Sequence, residues 1–183
     1  MKKMIIAMAV LFITTIHVQA QGGFNLGAYV GIPVADGGDV ANLALGFDAN
    51  YLFEISEKFS VGPTTGFSHS FGENNFDAFQ FIPIAAAGRF NINDMFTAGI
   101  DLGYAIGIND GNNGGVYFRP TFAYNVTDRI QVNASYIGVA LGSGRGLGYY
   151  GYYDYYYDDY YYNNYAYNGT FSIISVGATF NLN

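Results

Sequence analysis

Ser68, His69 and Ser70 place two hydroxyl groups beside a base, the combination that serine-dependent acyl transfer requires. The base has to accept the hydroxyl proton directly. These residues lie in a run whose apolar residues alternate with small ones, which is typical of a strand. Neighbouring side chains in a strand point to opposite faces, so His69 would reach neither serine. We therefore expect no catalytic residue here.

Other reactive groups are equally scarce. The sequence contains no cysteine, which excludes disulfides and thiolate chemistry. Asp36 and Asp39 in the run DGGD are explained more simply by a glycine turn than by a Ca²⁺ site. The run GLGYYG lacks the helix and the lysine that would complete a phosphate site. The sequence thus predicts no metal and no cofactor.

A small set of charged side chains interrupts stretches of apolar and small residues. A charge taken out of water is costly unless it is paired. We expect Asp101 and Arg119 to meet, and Arg89 to reach either Asp101 or Glu54. A salt-bridged interior is the favoured interpretation, and a role in conduction or gating is the alternative. The set consists of Asp48, Glu54, Arg89, Asp101 and Arg119.

The tyrosine-rich segment, about 141–169, is too long for a simple connection and is therefore either functional or disordered. Residues 148–169 alone hold 12 of the 18 tyrosines. Tyrosine favours strands and forms adaptable contact surfaces. We expect part of the segment to extend a hairpin beyond its neighbours. The candidate interaction residues are Tyr152, Tyr153, Tyr155, Tyr156, Tyr157, Tyr160, Tyr161 and Tyr162.

These residues must be positioned by strands, because apolar residues recur at alternate positions along most of the chain. In the fourth run we assign Ile82, Ile84, Ala86 and Phe90 to the apolar face. Each run is about as long as a tilted strand that crosses a bilayer. Eight runs follow this pattern: 24–32, 43–54, 59–68, 79–90, 96–107, 117–126, 130–136 and 173–182.

The connections between the runs alternate in length. ISEK, NIND and TDR are short, whereas VADGGDVAN, GENNFDA, NDGNNGG and the tyrosine-rich segment are long. Barrels with an even number of strands show this alternation, with short turns at one end and long loops at the other. The sequence therefore predicts an all-β fold, an eight-stranded antiparallel up-and-down transmembrane β-barrel.

The face opposite the apolar one decides which side of the barrel faces outward. A soluble barrel would carry Lys, Glu, Asp and Arg on its exterior, but here the second face consists mostly of Gly, Ala, Ser, Thr and Asn. Such small residues suit the crowded interior of an eight-stranded barrel. We expect the apolar face to contact lipid, with aromatic residues near the strand ends at the membrane interfaces. A secreted soluble barrel is the alternative.

With this pattern of strands and loops, the chain resembles the small outer-membrane barrels of Gram-negative bacteria, the OmpA and OmpX type. The resemblance covers residues 21–183 and implies an integral outer-membrane protein. Members of that family commonly end on an aromatic residue. This chain ends ATFNLN, with three residues after Phe180.

The first twenty residues predict export. Lys2 and Lys3 precede an apolar run, and Val18 and Ala20 form a small-residue cleavage site, so we expect a signal peptide at 1–20 and the barrel at 21–183. Without the leader, five basic and 14 acidic residues remain, a formal charge of −9. So few cations argue against nucleic acid as a partner.

The sequence therefore predicts a non-enzymatic protein of the Gram-negative outer membrane. We expect a monomer with a packed lumen and four surface loops, in contact with outer-membrane lipid. Its role would be structural or one of surface interaction. The alternatives are an adhesin that binds a host or cell-surface partner through the tyrosine-rich segment, and a narrow porin.

Overall fold

The computed structural model describes residues 22–39, 41–72, 78–109, 112–141, 149–154, 159–164 and 169–182. Eight of its strands close into one antiparallel barrel in the order β1-β2-β3-β4-β5-β6-β7-β10. This confirms the predicted all-β, eight-stranded up-and-down fold. The strands are β1 (Gly22–Val34), β2 (Ala41–Ser56), β3 (Phe59–Gly72), β4 (Phe79–Asn91), β5 (Phe96–Gly107), β6 (Gly115–Asn125), β7 (Ile130–Leu141), β8 (Tyr149–Asp154), β9 (Asp159–Asn164) and β10 (Thr170–Asn181).

The seam between β1 and β10 closes the barrel. Leu26 lies opposite Phe180 in this antiparallel pair, and the register continues to Val34 opposite Ser172. Beyond the strand, the backbone N–H of Leu182 donates to the carbonyl of Phe24 at 2.9 Å. The residues that follow Phe180 therefore continue the pairing across the seam.

The two ends of the barrel differ in their connections. The turn end carries the β2–β3, β4–β5 and β6–β7 turns, and the loop end carries the four longer links. The Oδ1 atom of Asn93 accepts from the N–H groups of Met95 and Phe96, and Thr127 Oγ1 does the same for Arg129 and Ile130. These side-chain bonds stabilise two of the tight turns.

The first long link is shorter than the sequence suggested, because β1 and β2 extend into it and a 3₁₀ helix, Ala35–Asp39, occupies most of the remainder. This helix packs beside the start of β10: a Cβ added at Gly37 would lie 3.2 Å from the ring of Phe171. Among the described residues, no helix has both the length and the apolar character needed to cross a membrane.

The faces of the strands alternate as predicted. In β4, Ile84, Ala86 and Phe90 are exposed on the outer side, in agreement with the assignment. The same strand turns Phe79 and Phe81 inward, where they are buried. Large apolar side chains thus enter the lumen at the loop end of the barrel.

The tyrosine-rich segment contains two strands that the eight-run pattern did not include. β8 and β9 pair antiparallel with each other as a separate two-stranded sheet and do not join the barrel. The expectation that part of the segment extends a hairpin beyond its neighbours stays a prediction, since the links from this sheet to β7 and β10 lie outside the described residues. Residues 142–148, 155–158 and 165–168 lie outside the described residues.

Candidate functional site

The middle of the lumen holds two ion pairs. Arg89 Nη1 lies 2.5 Å from Asp101 Oδ1, and Arg119 Nη1 lies 2.8 Å from Asp48 Oδ2. Asp101 is 2% exposed and Arg119 is 5% exposed. Each buried charge therefore has an opposite charge in direct contact, as the cost of desolvation requires.

The expected ion pair between Asp101 and Arg119 is not formed. The two residues lie directly opposite each other on β5 and β6, but their side chains bind other partners. β2 and β6 are four strands apart in a ring of eight, so the contact from Arg119 to Asp48 crosses the lumen along its diameter. Arg89 meanwhile takes the diagonal route to Asp101.

Further contacts hold Arg119 in this crossing position. Its Nε atom donates to Ser135 Oγ at 3.0 Å, and the Ser135 hydroxyl lies 2.8 Å from that of Ser175. The guanidinium carbon also lies 5.0 Å from the ring centroid of Tyr29, a cation–π distance. The arginine thereby links side chains from β1, β2, β7 and β10.

Glu54 lies apart from these ion pairs. It is exposed near the turn end of β2 and makes no salt bridge within 4 Å among the described residues. It lines the mouth of a polar cavity with Arg89 and Ser60. The structure thus brings four of the five predicted charges into two pairs and leaves Glu54 at the mouth of the lumen.

This polar cavity, which we call the vestibule, fills the turn-end half of the lumen with a volume of about 260 Å³. Amide and hydroxyl groups form most of its wall and bind one another in pairs. These pairs are Asn25 with Asn50 at 3.0 Å, Gln131 with Asn125 at 2.7 Å, Thr97 with Asn91 at 3.0 Å and Asn133 with Thr179 at 3.1 Å. Exposed turn residues at its rim, including Asp94 and Asp128, show that it opens at the turn end.

The loop-end half of the lumen is filled by apolar side chains, a layer that we call the plug. The rings of Phe79 and Phe171 lie 4.2 Å apart, and Phe81 packs 5.7 Å from Phe79. Every member is between 0 and 4% exposed. The plug consists of Phe79, Phe81, Tyr117, Ile137, Val139, Phe171 and Ile173.

The sequence interpretation missed the plug as a unit. Alternation placed Tyr117 and Ile173 on the inner face, but it did not show that the inward aromatic residues share one height in the barrel. A usable signal was present: Phe79 and Phe81 have inward parity in β4, and Phe171 has inward parity at the start of β10. All three lie among the first three residues of a strand that follows a long link.

The outer surface is apolar around the whole circumference. All eight barrel strands expose large hydrophobic side chains, for example Val30, Leu45, Ile84, Leu102 and Val176. The charged residues within these strands all have inward parity. Near the turn end, seven strands carry an outward aromatic residue, which together form the turn-end aromatic belt: Phe24, Tyr51, Phe59, Phe90, Phe96, Tyr124 and Phe180.

Solved structures of similar architecture share this arrangement of strands. The chain matches Ail, the attachment invasion locus protein of Yersinia pestis, at 15% identity with a TM-score of 0.54, over 90% of this chain and 100% of that one. It also matches a de novo designed transmembrane β-barrel at 10% identity with a TM-score of 0.51, over 90% of this chain and 98% of the design. The chain has the fold of a small transmembrane β-barrel.

A third match is Neisserial surface protein A, at 13% identity with a TM-score of 0.48, over 86% of this chain and 96% of that one. No protein-family description and no curated protein match the sequence. The likeness is therefore one of fold.

Within this transmembrane barrel fold, the serine and histidine residues separate as expected. Ser68 and Ser70 point inward and are buried, whereas His69 lies on the outer face. Its Nδ1 atom lies 2.8 Å from Gln80 Nε2, and its ring meets Phe71 edge-on at 4.4 Å. His69 thus contacts neither serine, and among the described residues no three His, Asp or Glu side chains converge as they would around a metal ion.

The candidate interaction tyrosines fall partly on the hairpin. Tyr152 pairs with Tyr161, Tyr153 with Tyr160, and Gly151 with Tyr162 in the β8–β9 register. Tyr155, Tyr156 and Tyr157 lie outside the described residues. The hairpin therefore aligns tyrosine with tyrosine on its two strands.

Proposed function

We propose that this chain is a non-enzymatic integral barrel of the Gram-negative outer membrane, exported with a signal peptide at 1–20. Its lumen is closed by the plug at the loop end and holds the vestibule at the turn end, its outer face contacts lipid, and its four long links are displayed at the cell surface. It acts as a monomer with a structural or surface-interaction role.

The observation that carries this proposal is the apolar outer surface. Soluble monomers rarely expose a continuous apolar patch larger than a few hundred square ångströms, yet here every barrel strand contributes to one. In lipid the same surface is favourable, and the closed ring of strands satisfies the backbone hydrogen bonds. The charges inside and the aromatic belt near one end fit the same environment.

The orientation follows from the two ends of the barrel. Outer-membrane barrels place short turns in the periplasm and long loops outside. The turn end, with the aromatic belt above it, would therefore face the periplasm. The loop end, with the tyrosine-rich segment, would face the medium.

Fractionation tests the proposal. Expressed with its own leader in a Gram-negative host, the chain should stay in the outer-membrane fraction after carbonate extraction at high pH. It should also change mobility on a gel when it is heated. Protease added to intact cells should cut within 142–169 and spare the barrel strands. Recovery as a soluble periplasmic protein would refute the membrane proposal.

A surface-interaction role through the tyrosine-rich segment is the second candidate, and the β8–β9 register favours it. Cross-strand alignment of Tyr152 with Tyr161 and of Tyr153 with Tyr160 concentrates one residue type on a short sheet. Tyrosine is enriched where proteins bind each other. Ail, whose name describes attachment and invasion, has a similar fold.

Deleting residues 149–167 distinguishes the two roles. If the segment is adhesive, adherence of expressing cells to cultured epithelial cells and to each other should fall to the level of cells without the protein. A matched variant keeps the full length of the segment and replaces Tyr152, Tyr153, Tyr160 and Tyr161 with serine, so that the tyrosine rings are removed without shortening the segment. If both variants reach the outer membrane and adhere like the parent, the adhesive role is wrong and the structural role remains.

A further inference from the structure

The vestibule and the plug divide the lumen into two halves of opposite character. The vestibule walls are amide, hydroxyl and charged groups, and its mouth is at the turn end. The plug is apolar and at most 4% exposed. The diametric contact between Arg119 and Asp48 lies between the two. A solute that enters from the turn end would therefore meet ion pairs first and then a dry apolar layer.

The size of the vestibule limits what it accepts. One water molecule occupies about 30 Å³ in the liquid, so a volume of about 260 Å³ corresponds to a small cluster of waters. Pockets for drug-sized ligands begin at about 300 Å³. Water and small hydrophilic solutes therefore fit within the vestibule.

The charges at the mouth of the vestibule are mostly negative. Four charged residues at or near the rim, Glu54, Asp94, Asp128 and Arg129, make no salt bridge within 4 Å among the described residues. Three of them are acidic and one is basic, whereas deeper in the lumen each aspartate is matched by an arginine. The mouth of the vestibule is thus net negative and raises the local concentration of cations.

Two polar atoms in the wall of the vestibule are buried without a hydrogen-bond partner in the protein. Asn133 is 9% exposed, and its Nδ2 donates to Thr179 while its Oδ1 has no hydrogen-bond partner in the protein. The hydroxyl of Thr121 also lines the vestibule and likewise has no protein partner. Both atoms are covered by the wall itself, so the preference for cations comes from the charges at the mouth of the vestibule.

We propose that the vestibule is a blind, one-sided site that takes water and small hydrophilic cations from the turn end, and that the plug prevents them from reaching the loop end. The cavity depends on the fold alone. That it opens to the periplasm rests on the proposed function.

Variants with a single introduced cysteine test this proposal, because the chain contains no cysteine of its own. Thr121→Cys reports on the vestibule, and Ser70→Cys, at a fully buried position opposite Phe79, reports on the plug. Each variant is folded in detergent and treated with two methanethiosulfonate reagents of similar size, one trimethylammonium and one sulfonate. Ser56→Cys, at the exposed end of β2, corrects for the intrinsic rates of the reagents.

We expect the cysteine at 121 to react and the cysteine at 70 to remain unmodified until the protein is unfolded. The ratio of the reaction rate of the cationic reagent to that of the anionic reagent should be about tenfold higher at position 121 than at position 56 at low salt. This difference should be smaller at high salt. Glu54→Gln combined with Asp94→Asn and Asp128→Asn should abolish this preference.

Three results would overturn the proposal: no reaction at 121, equal reaction at 70 and 121, or no preference for the cation. A further variant separates access from folding, since Phe79→Ala with Phe171→Ala should make the cysteine at 70 reactive while the barrel still shifts on an unheated gel. These measurements use protein folded in detergent, so their outcome does not depend on the fractionation test of membrane location.

Discussion

Replacing Ile100 with arginine is expected to destabilise the barrel in a bilayer by about 2–4 kcal/mol, whereas the same change at Ile92 should cost about 0–1 kcal/mol. The two isoleucines are equally exposed, at 45% each. They differ in depth, because Ile100 lies near the middle of β5 and Ile92 lies in the β4–β5 turn. The cost of a charge facing lipid falls from the bilayer centre to its edge, which produces the difference.

The measurement is equilibrium unfolding by urea in lipid vesicles, followed by the gel mobility of the folded barrel. In a soluble barrel, both positions would face water and both arginines would be nearly neutral. Equal effects at Ile100 and Ile92 would therefore contradict the lipid-facing assignment of the outer surface. The pair needs no other control, since residue type, substitution and exposure are matched.

Replacing Arg119 with methionine should lower the free energy of unfolding by about 3–5 kcal/mol, the cost of leaving one partner of a buried ion pair alone. Asp48 would lose its contact across the lumen, and Ser135 would lose the donor at Nε. Methionine fills much of the same space, so the loss reports mainly on charge and hydrogen bonding. Urea unfolding of the two proteins gives the difference.

Two companion variants make this result specific. Arg129→Met makes the same change at an exposed turn residue, and it should alter stability by no more than about 0.5 kcal/mol. Asp48→Asn combined with Arg119→Met should be more stable than Arg119→Met alone, because no unpaired carboxylate remains. If Arg119→Met unfolds like the parent protein, the cross-lumen contact contributes nothing to stability.

The sequence was sufficient to predict the fold because the pattern that specifies it is local. A residue such as Ile84 faces outward when its neighbours alternate with it, and this can be read without knowing any other strand. The short turns at Asn93 and Thr127 were equally readable. Eight such runs with alternating links leave little freedom in the topology.

Contacts across the lumen could not be predicted in the same way. Asp101 and Arg119 do lie on adjacent strands at one height, but a long arginine side chain can cross an eight-stranded barrel and find Asp48 on the opposite wall. Which carboxylate Arg119 binds depends on the diameter of the barrel and on which carboxylate Arg89 binds. Neither is encoded in strand parity. The plug escaped prediction for a related reason, since Phe79 and Phe171 come from distant parts of the chain.

The bounds and the pairing of β8 and β9 could not be read from the sequence, because the composition of the segment hides any strand period. Runs such as YYGYYD carry tyrosine at nearly every position, so no apolar face alternates with a polar one. Its pairing depends on the backbone and on the link between the strands, which binary patterning does not describe.

The seam between β1 and β10 determines when the barrel becomes complete. It joins Leu26 to Phe180, residues that are more than 150 positions apart, and every other pairing in the barrel leaves two edges open until this one forms. During synthesis, the first barrel strand cannot complete its pairing until the last strand is available. Until then the chain has apolar strands with unpaired edges, a state that favours aggregation. The chain therefore has to be kept from closing into an incomplete barrel, and from pairing with another copy, until β10 is available.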